Sequence, residues 1–436
     1  MQEVQITNSP YGHTLNSNQV FSPDDEWVVY DTRNDPTHIN RTCCIEKVNV
    51  NTGEIAKLYS TRGQSLHGPG VGAASYHPLQ NKIIFIHGLL NCDESQPYSF
   101  TRRFGAILIE NNSGVIHAAE ARTIDPPLVP GALRGGTHAH SWSADGKWIS
   151  FTYNDFLLEK LSSDPVSGVK DLRTIGVMSP AGPVNVEHES DENFSGEYFS
   201  AVVATVTENP APGTDQIEKA FDECWIGTEG YVRMDGSRQR RAIAFQGNVK
   251  GDDGRLITEV FVTDIPDDIA RPQPGKMLEG TLSTRPTVPR GVDQRRITFT
   301  SNRKYPGLQG PRFWLRSSPD GSVIYFLMKD DKGVVQIYGV SVLAGEIWQV
   351  TSLSASIQGQ FNISPDGNSI ALLADNSVWI CDVKTGKAQR VTEKRPDEAA
   401  PVIAVLWNKR GNTVVFNRYV DDNRGKHLQI FKVKVN

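Results

Sequence analysis

The stretch SPDGSVIYFL, residues 318–327, joins a tight turn directly to an apolar strand. Proline and the Asp-Gly pair set the turn, and the β-branched and aromatic run after it is typical of a strand. The same order recurs 46 residues later as SPDGNSIALL, residues 364–373, and a third copy follows after another 44 residues. Intervals of this size are close to the length of one four-stranded blade of a β-propeller.

Looser copies of the turn and its strand occur through the rest of the chain. Each copy is followed by a third apolar segment and, in several copies, by a turn with glycine and a fourth strand. The turns begin at Ser22, His77, Ser143, Arg233, Ser318, Ser364 and Asn408, and the copy at Arg233 is stretched. Seven copies in one chain predict an all-β protein with seven blades.

The two ends of the chain complement one another. The last copy stops after its third strand, while residues 4–7, VQIT, resemble the fourth strand WQVT at residues 348–351. We therefore predict a single domain over residues 1–436, a seven-bladed β-propeller closed by the N-terminal strand pairing into the C-terminal blade. The only helix that apolar spacing predicts is at residues 215–221. The approximate blades are residues 14–60, 67–120, 133–208, 215–303, 311–352, 357–392, and 400–436 with 2–8.

Composition and charge limit the partners and the compartment. Of the 436 residues 38% are hydrophobic, and the net charge of −5 gives no electrostatic reason to expect nucleic acid or a membrane as partner. The sequence shows no run of about 18 apolar residues, as a membrane span needs, and no signal peptide. The five cysteines do not suggest a disulfide framework, so we expect a cytoplasmic protein. Adjacent strand residues point to opposite faces, so Cys43 and Cys44 are not expected to share a metal.

The repeat also resembles known protein families. The Ser-Pro-Asp-Gly turn, its apolar strand and the later Thr-Gly turn resemble the repeat of TolB-like propellers over nearly the whole chain. The segments VVYDTR, GGTHAHSWSADG, FDECWIGTEGY and QRRAIAFQGNV resemble a bacterial family of uncharacterised propeller proteins. Oligogalacturonate lyase is similar in architecture, and in that enzyme histidines and a glutamine on one face of the ring hold a divalent metal. The resemblance implies a propeller and leaves the activity open.

The candidate site residues lie four to ten positions before each turn, where the inner strands of all blades begin at one mouth of the central channel. Ligand sites are expected at such points of convergence. The candidate ligand-binding residues are His13, Arg134, Asp222, Glu223, Arg312 and Trp314. The candidate ligands of a divalent metal ion are His67, His138, His140, Gln358 and Gln360. His138 and His140 are two apart on a predicted strand, so we expect both imidazoles on one face.

Each candidate has a structural alternative. His138 and His140 could pack between blades, and His67 and His13 could cap turns. Arg134 and Arg312 could form salt bridges to nearby acids, and Asp222 and Glu223 could be solvated or salt-bridged. No phosphate-binding loop, His-Glu-x-x-His motif or Gly-x-Ser-x-Gly motif is present. Three classes therefore remain: a metal-assisted enzyme for a small acidic ligand such as a uronate-containing oligosaccharide, a protein-binding scaffold, and a small-molecule sensor. Apart from the metal, no cofactor is expected.

Overall fold

The structure, a computed structural model, describes residues 2–16, 19–111, 114–311 and 314–435. In these residues seven antiparallel sheets succeed one another along the chain as the blades of a β-propeller. Each blade is a meander in which consecutive strands pair, apart from a hairpin inserted into blade four. The predicted fold class is confirmed.

The strands are numbered in chain order, starting with β1 (Glu3–Gln5). Blade one contains β2 (Trp27–Asp31), β3 (Cys44–Asn49) and β4 (Ile55–Ser60); blade two β5 (Val71–Tyr76), β6 (Lys82–Gly88), β7 (Arg103–Ile109) and β8 (Ile116–Ala118); blade three β9 (Gly135–Trp142), β10 (Ile149–Asp155), β11 (Thr174–Ser179) and β12 (Phe199–Val202). Blade four contains β13 (Ile217–Trp225), the inserted hairpin of β14 (Tyr231–Val232) and β15 (Arg238–Gln239), then β16 (Ala242–Lys250), β17 (Leu256–Asp264) and β18 (Asp293–Arg296).

The last three blades have short connections. Blade five contains β19 (Arg316–Ser317), β20 (Val323–Lys329), β21 (Val335–Ser341) and β22 (Ile347–Gln349); blade six β23 (Ile357–Ile363), β24 (Ser369–Ala374), β25 (Ser377–Asp382) and β26 (Ala388–Arg390); blade seven β27 (Pro401–Trp407), β28 (Thr413–Asp422) and β29 (Gly425–Lys434). An α-helix, α1 (Phe156–Ser162), and two 3-10 helices, Ile39–Arg41 and Asp397–Ala399, lie in connections.

The repeated turn has the same hydrogen bonds in its serine-containing copies. The serine hydroxyl donates to the aspartate two residues later at 2.5 Å, and it accepts at 2.9–3.0 Å from the backbone N–H five residues later, at or just before the start of the next strand. These side-chain bonds satisfy the turn backbone locally and explain the recurring spacing. The copies are those at Ser22, Ser143, Ser318 and Ser364.

The N-terminal strand closes the ring, as predicted. β1 pairs antiparallel with β29, with Val4 opposite Lys432. The Thr7 hydroxyl, beyond the strand, donates to Gln429 Oε1 at 2.8 Å, and the carboxylate of Glu3, the first residue of β1, lies 2.6 Å from Arg418 Nη1. The fourth strand of blade seven thus comes from the opposite end of the chain.

Residues 215–221 lie in or next to β13, so the helix predicted there is wrong. The register of β13 on β16 shifts between Ile217 and Ala220, and this shift puts both buried side chains on one face although they are three residues apart. A bulged strand therefore imitates the apolar spacing of a helix. The helix α1 lies instead after Asp155, whose carboxylate caps it by accepting from Leu158 N at 3.1 Å.

The adjacent cysteines also differ from the prediction. Cys43 precedes the strand, and Cys44 is the first residue of β3. Their Sγ atoms lie 2.8 Å apart, so the two thiols do not point to opposite faces. Strand alternation does not apply here because Cys43 stands outside the ladder that begins at Cys44.

The apolar core consists of layers between neighbouring blades. Val28 of blade one, Ile83 of blade two and Leu406 of blade seven, for example, belong to one layer. Within the described residues, no helix has the length and apolar character to cross a membrane. Buried ionisable side chains are numerous in blades two to four and in the loops between them, and include Glu120, Arg122, Arg134, Asp155, Asp222 and Glu223.

Candidate functional site

Bulges interrupt the inner strands at about the depth where the candidate residues lie. At four of these bulges a residue other than glycine has a left-handed φ, which is uncommon for a residue with a Cβ. The four residues are Ala73 (55°), Ala139 (59°), Asp222 (53°) and Ile403 (64°). The bulges in β5, β9 and β13 each add one residue to the strand, so the side chains before and after them change faces relative to simple alternation, whereas the bulge in β27 adds two residues.

The bulge in β9 separates the two histidines of the predicted metal pair. Two residues of this strand, Ala139 and His140, stand opposite the single residue Phe151 of β10. The extra residue inverts the alternation, so His138 and His140 lie on opposite faces of the sheet. The Thr137 hydroxyl contacts His140 Nε2 at 2.8 Å, as expected when both lie on the face away from His138. The prediction that both imidazoles share a face is therefore wrong.

His140 faces blade two, where it joins a buried polar chain. The Thr137 hydroxyl donates to Glu120 Oε1 at 2.5 Å, and the same carboxylate accepts from Gly105 N of β7. Burial raises the pKa of Glu120 to about 7 and lowers the pKa of His140 to about 3. His140 is fully buried and neutral at physiological pH, which matches the alternative that it packs between blades.

His138 lies on the opposite face, toward blade four. Its partner across the ladder is Thr152, whose hydroxyl donates to Glu223 Oε2 at 2.7 Å. Burial raises the pKa of Glu223 to about 8. The second carboxylate oxygen of Glu223, Oε1, has no hydrogen-bond partner in the described part of the chain. The structure therefore brings two predicted residues, His138 and Glu223, to one blade interface.

Arg134 and His13 have protein partners. Arg134 donates from Nε and Nη2 to Asp155 Oδ2 at 2.9 and 2.6 Å, which is the salt bridge considered as its alternative role. His13 is buried between blades seven and one, with Nδ1 3.0 Å from Leu428 O. Burial lowers the pKa of His13 to about 4. The Arg134 side chain thus binds β10, and the His13 side chain joins blades seven and one.

The other predicted ligand-binding residues are dispersed. Asp222 is buried at the bulge of β13, next to Glu223. Trp314 borders a cavity of about 170 Å³ that Gln246 also lines. Arg312 lies outside the described residues.

The predicted metal ligands do not form one group. The loop before β5 contains His67, whose carbonyl accepts from Tyr98 N at 2.8 Å. The Gln358 side-chain amide donates to Asn376 Oδ1 at 2.9 Å and accepts from Asn376 N at 2.8 Å. Gln360 is buried. Within residues 2–16, 19–111, 114–311 and 314–435, no three His, Cys, Asp or Glu side chains are grouped as a metal site requires.

Two arginines flank an exposed phenylalanine where the third strands of blades two and three begin. Arg103 is the first residue of β7, and Arg173 directly precedes β11. Their guanidinium carbons lie 5.0 and 5.4 Å from the ring centroid of Phe100, which is 59% exposed. We call Phe100, Arg103 and Arg173 the arginine–phenylalanine cluster.

Arg103 is buried with hydrogen-bonding capacity to spare. It is 2% exposed, and its Nη1 donates to the Tyr98 hydroxyl at 3.1 Å. Neither Nε nor Nη2 has a partner among the described residues. A guanidinium keeps its charge and its N–H groups at any physiological pH, and a buried cation without a partner is unfavourable. The cluster therefore offers donors and positive charge to an anionic group.

A glycine lets the cluster approach the inner strand of blade three. A Cβ on Gly136 of β9 would lie 2.2 Å from Phe100 O and 3.0 Å from Arg103 Cγ. Only glycine leaves room for this close approach. The cluster thus lies against the beginning of β9, two residues before His138.

Arg173 connects the cluster with the acidic residue Glu223 of blade four. Arg173 Nε donates to Asn154 Oδ1 at 3.0 Å. Burial raises the pKa of Glu223, and the positive charge of Arg173 opposes that rise. Blades two, three and four therefore place an exposed ring, two cations and a weakly acidic carboxyl in sequence along one side of the propeller.

The cluster is not among the sequence candidates because those residues lie in or before inner strands, whereas Arg103 and Arg173 lie at the start of third strands. In a four-stranded meander the first and third strands begin on the same side of the ring. The same end-of-strand reasoning, applied to residues before third strands, selects the arginines in SFTRRFGAIL and DLRTIGV, residues 99–108 and 171–177. No sequence pattern marks the burial of Arg103, which depends on the loop that folds over it.

Comparison with known proteins agrees with this architecture. The family described as a protein of unknown function (DUF3748) matches residues 70–194, a range that includes the arginine–phenylalanine cluster. The structure is similar to an oligogalacturonate lyase in complex with manganese, at a TM-score of 0.54 and 11% identity, over 100% of this chain and 93% of that one. TolB from Acinetobacter baumannii matches with a TM-score of 0.37 and 14% identity, over 97% of this chain and 86% of that one.

A curated relative is similar in sequence over most of its length. The Escherichia coli (strain K12) protein named uncharacterized protein YidR is 38% identical over 393 residues, which are 89% of this chain and 88% of that protein. Identity of this extent shows common descent, and the chain belongs to the same family as YidR.

Proposed function

We propose that the side of the propeller formed by blades two to four binds a small acidic ligand of the uronate type at the arginine–phenylalanine cluster. The observation that carries this proposal is Arg103, a buried guanidinium with two nitrogens that no described protein group engages. A carboxylate is the natural partner, because its two oxygens match the fork of the guanidinium.

The exposed ring supports a sugar-like ligand. Phe100 exposes more than half of its surface directly above a cation, so a ligand ring can stack on Phe100 while its carboxylate reaches Arg103. Binding sites for small ligands combine such aromatic surface with a few polar groups that fix orientation. Reaching the buried nitrogens requires the Phe100 side chain to move aside, and its exposure leaves it free to do so.

The similarity to oligogalacturonate lyase supports the uronate class through the shared fold. That lyase was solved with manganese. In the present chain the bulge at Ala139 separates His138 from His140, and the described residues offer no group of three metal-binding side chains. The residues do not fit the predicted metal site, so the proposal is for binding without a metal.

Glu223 is the group through which the site would exchange a proton. Its pKa of about 8 keeps it protonated at neutral pH, when it can donate, and makes it a base above that pH. A uronate carries an acidic C–H next to its carboxylate, and Arg173 near Glu223 would stabilise negative charge that develops there. Lyase-like chemistry is therefore the activity to test once binding is established.

The test is a calorimetric titration with digalacturonate and, in parallel, with the neutral disaccharide of galactose. We expect the acid to bind and the neutral sugar not to bind. Arg103→Lys keeps the charge but loses the fork, and it should weaken binding of the acid at least about tenfold. Arg271→Lys is the matched control, since Arg271 pairs with Asp268 on the surface with 76% of its side chain exposed. Equal binding of both sugars, or unchanged affinity in Arg103→Lys, would refute the proposal.

A further inference from the structure

The adjacent thiols Cys43 and Cys44 form a pair that the proposed ligand site does not use. Their Sγ atoms lie 2.8 Å apart, closer than two sulfurs in ordinary van der Waals contact. Cys43 is partly exposed and Cys44 is 8% exposed, so small reagents can reach the pair from the Cys43 side. No other described cysteine contacts either sulfur, since Cys92, Cys224 and Cys381 belong to other blades or loops.

We propose that Cys43 and Cys44 are a reversible modification site that closes to a vicinal disulfide with a low-molecular-weight disulfide as oxidant. One cysteine attacks the small disulfide and forms a mixed disulfide, releasing one small thiol. The second cysteine then displaces the other small thiol. Two S–H bonds of the protein are lost and one S–S bond forms, while the oxidant takes up both electrons and both protons as two thiols.

Covalent geometry makes this disulfide a labile one. Neighbouring Cα atoms are about 3.8 Å apart, whereas most protein disulfides join Cα atoms about 4.4–6.8 Å apart. Disulfides held away from their preferred geometry are the ones that small thiols readily reduce. The pair therefore suits reversible oxidation rather than permanent stabilisation.

The surroundings of the pair set the conditions of the reaction. Burial and the hydrogen bond with Cys44 raise the pKa of the Cys43 thiol to about 11, so few thiolates exist at neutral pH and oxidation requires excess disulfide. The Cys43 carbonyl accepts from Thr61 N at 2.8 Å, at the start of the loop that contains His67 and leads to blade two. The peptide bond between the two cysteines is part of the eight-membered ring that the disulfide would close, so we expect oxidation to disturb this hydrogen bond to the loop.

Peptide mapping tests the proposal on the intact, full-length protein. The reduced protein is incubated with excess oxidised glutathione, denatured, alkylated with N-ethylmaleimide and digested with trypsin. Cleavage after Arg41 and Lys47 releases residues 42–47, TCCIEK, which contains both cysteines. We expect this peptide to lack both alkyl groups and to be lighter than the dithiol by two hydrogens, and dithiothreitol should restore double alkylation.

Two variants and a second reagent complete the experiment. Cys92→Ser should behave as wild type, whereas Cys43→Ser should show no internal disulfide. Phenylarsine oxide, which requires two neighbouring thiols, should protect both cysteines of the reduced wild-type peptide from alkylation. A wild-type peptide that stays doubly alkylated, carries only glutathione adducts or forms cross-links between molecules would overturn the proposal, whether or not Cys43→Ser folds.

Discussion

Blades five to seven and blades two to four are built from the same meander, yet they bury different kinds of side chains. Blades five to seven follow one another with short turns, and apolar layers fill the spaces between them. Blades two to four carry long connections, and ion pairs such as Arg134 with Asp155 and Arg122 with Glu192 lie at the ends of their strands and in these connections. The repeat thus accounts for the ring, and the departures from it account for these buried polar groups.

The buried arginines of blades two to four also differ in whether their charge is paired with an acid. A buried ion pair costs little more than its apolar replacement when both partners are satisfied, whereas a lone buried charge is strongly unfavourable. Arg134 is satisfied by Asp155, but Arg103 keeps two nitrogens without a described partner. This unused hydrogen-bonding capacity of Arg103 is the reason that we propose it as the ligand-binding residue, whereas Arg134 has a structural role.

Removing the closing strand should have the largest effect, because it breaks the regular part of the ring. Deleting residues 2–8 removes the ladder of β1 on β29, the Thr7–Gln429 hydrogen bond and the Glu3–Arg418 ion pair. We expect a loss of roughly 5 kcal/mol or more in the free energy of unfolding. Urea unfolding measures the loss, and an unchanged unfolding midpoint would contradict closure by this strand.

Breaking the buried ion pair of Arg134 with Asp155 should have the next largest effect on the free energy of unfolding. Arg134→Met leaves the Asp155 carboxylate buried without its cation, which should cost about 3–5 kcal/mol. Arg271→Met breaks the exposed pair with Asp268 and should cost at most about 1 kcal/mol. Thermal and urea unfolding compare the two variants. Equal losses would mean that burial of the Arg134 pair has no structural importance.

The free energy of unfolding should depend on pH through the buried carboxyl group of Glu223 in blade four. The pKa of Glu223 is about 8 in the folded protein against an ordinary value of 4.5, so the unfolded chain loses this proton first as the pH rises. The wild type should therefore lose stability between these two values, relative to Glu223→Gln, by about 1 kcal/mol per pH unit.

Urea unfolding of both proteins at about pH 5 and about pH 8 measures this dependence. The advantage of Glu223→Gln should grow between the two pH values and level off above them. Parallel pH profiles for the wild type and the variant would show that the carboxyl is not perturbed as described.

The two histidines of β9 should respond differently to removal, although the effect is smaller. His140→Ala empties a buried position and takes away the contact with Thr137, so we expect a loss of about 1–3 kcal/mol. His138 is only half-buried, and His138→Ala should cost less than about 1 kcal/mol. Similar losses in both variants would contradict their placement on opposite faces.

The fold was predictable from the sequence because it is repeated in local signals. Each Ser-x-Asp-Gly turn carries its own hydrogen bonds, and the strand VQIT shows how the ring closes. The face on which each inner-strand side chain lies was not predictable, because it depends on the left-handed φ values of Ala139 and Asp222, which neither residue type indicates. Arg103 could have been selected as a residue that precedes a third strand, but its burial and its contact with Phe100 depend on a loop whose path only the folded structure shows.

A crystal structure of the protein with digalacturonate would show whether the arginine–phenylalanine cluster is the ligand-binding site. We expect a uronate ring stacked on Phe100 and a carboxylate within hydrogen-bonding distance of Arg103 Nε or Nη2, with the Phe100 side chain moved from its position over the guanidinium. A ligand bound elsewhere on the propeller, with Phe100 and Arg103 unchanged, would contradict this proposal.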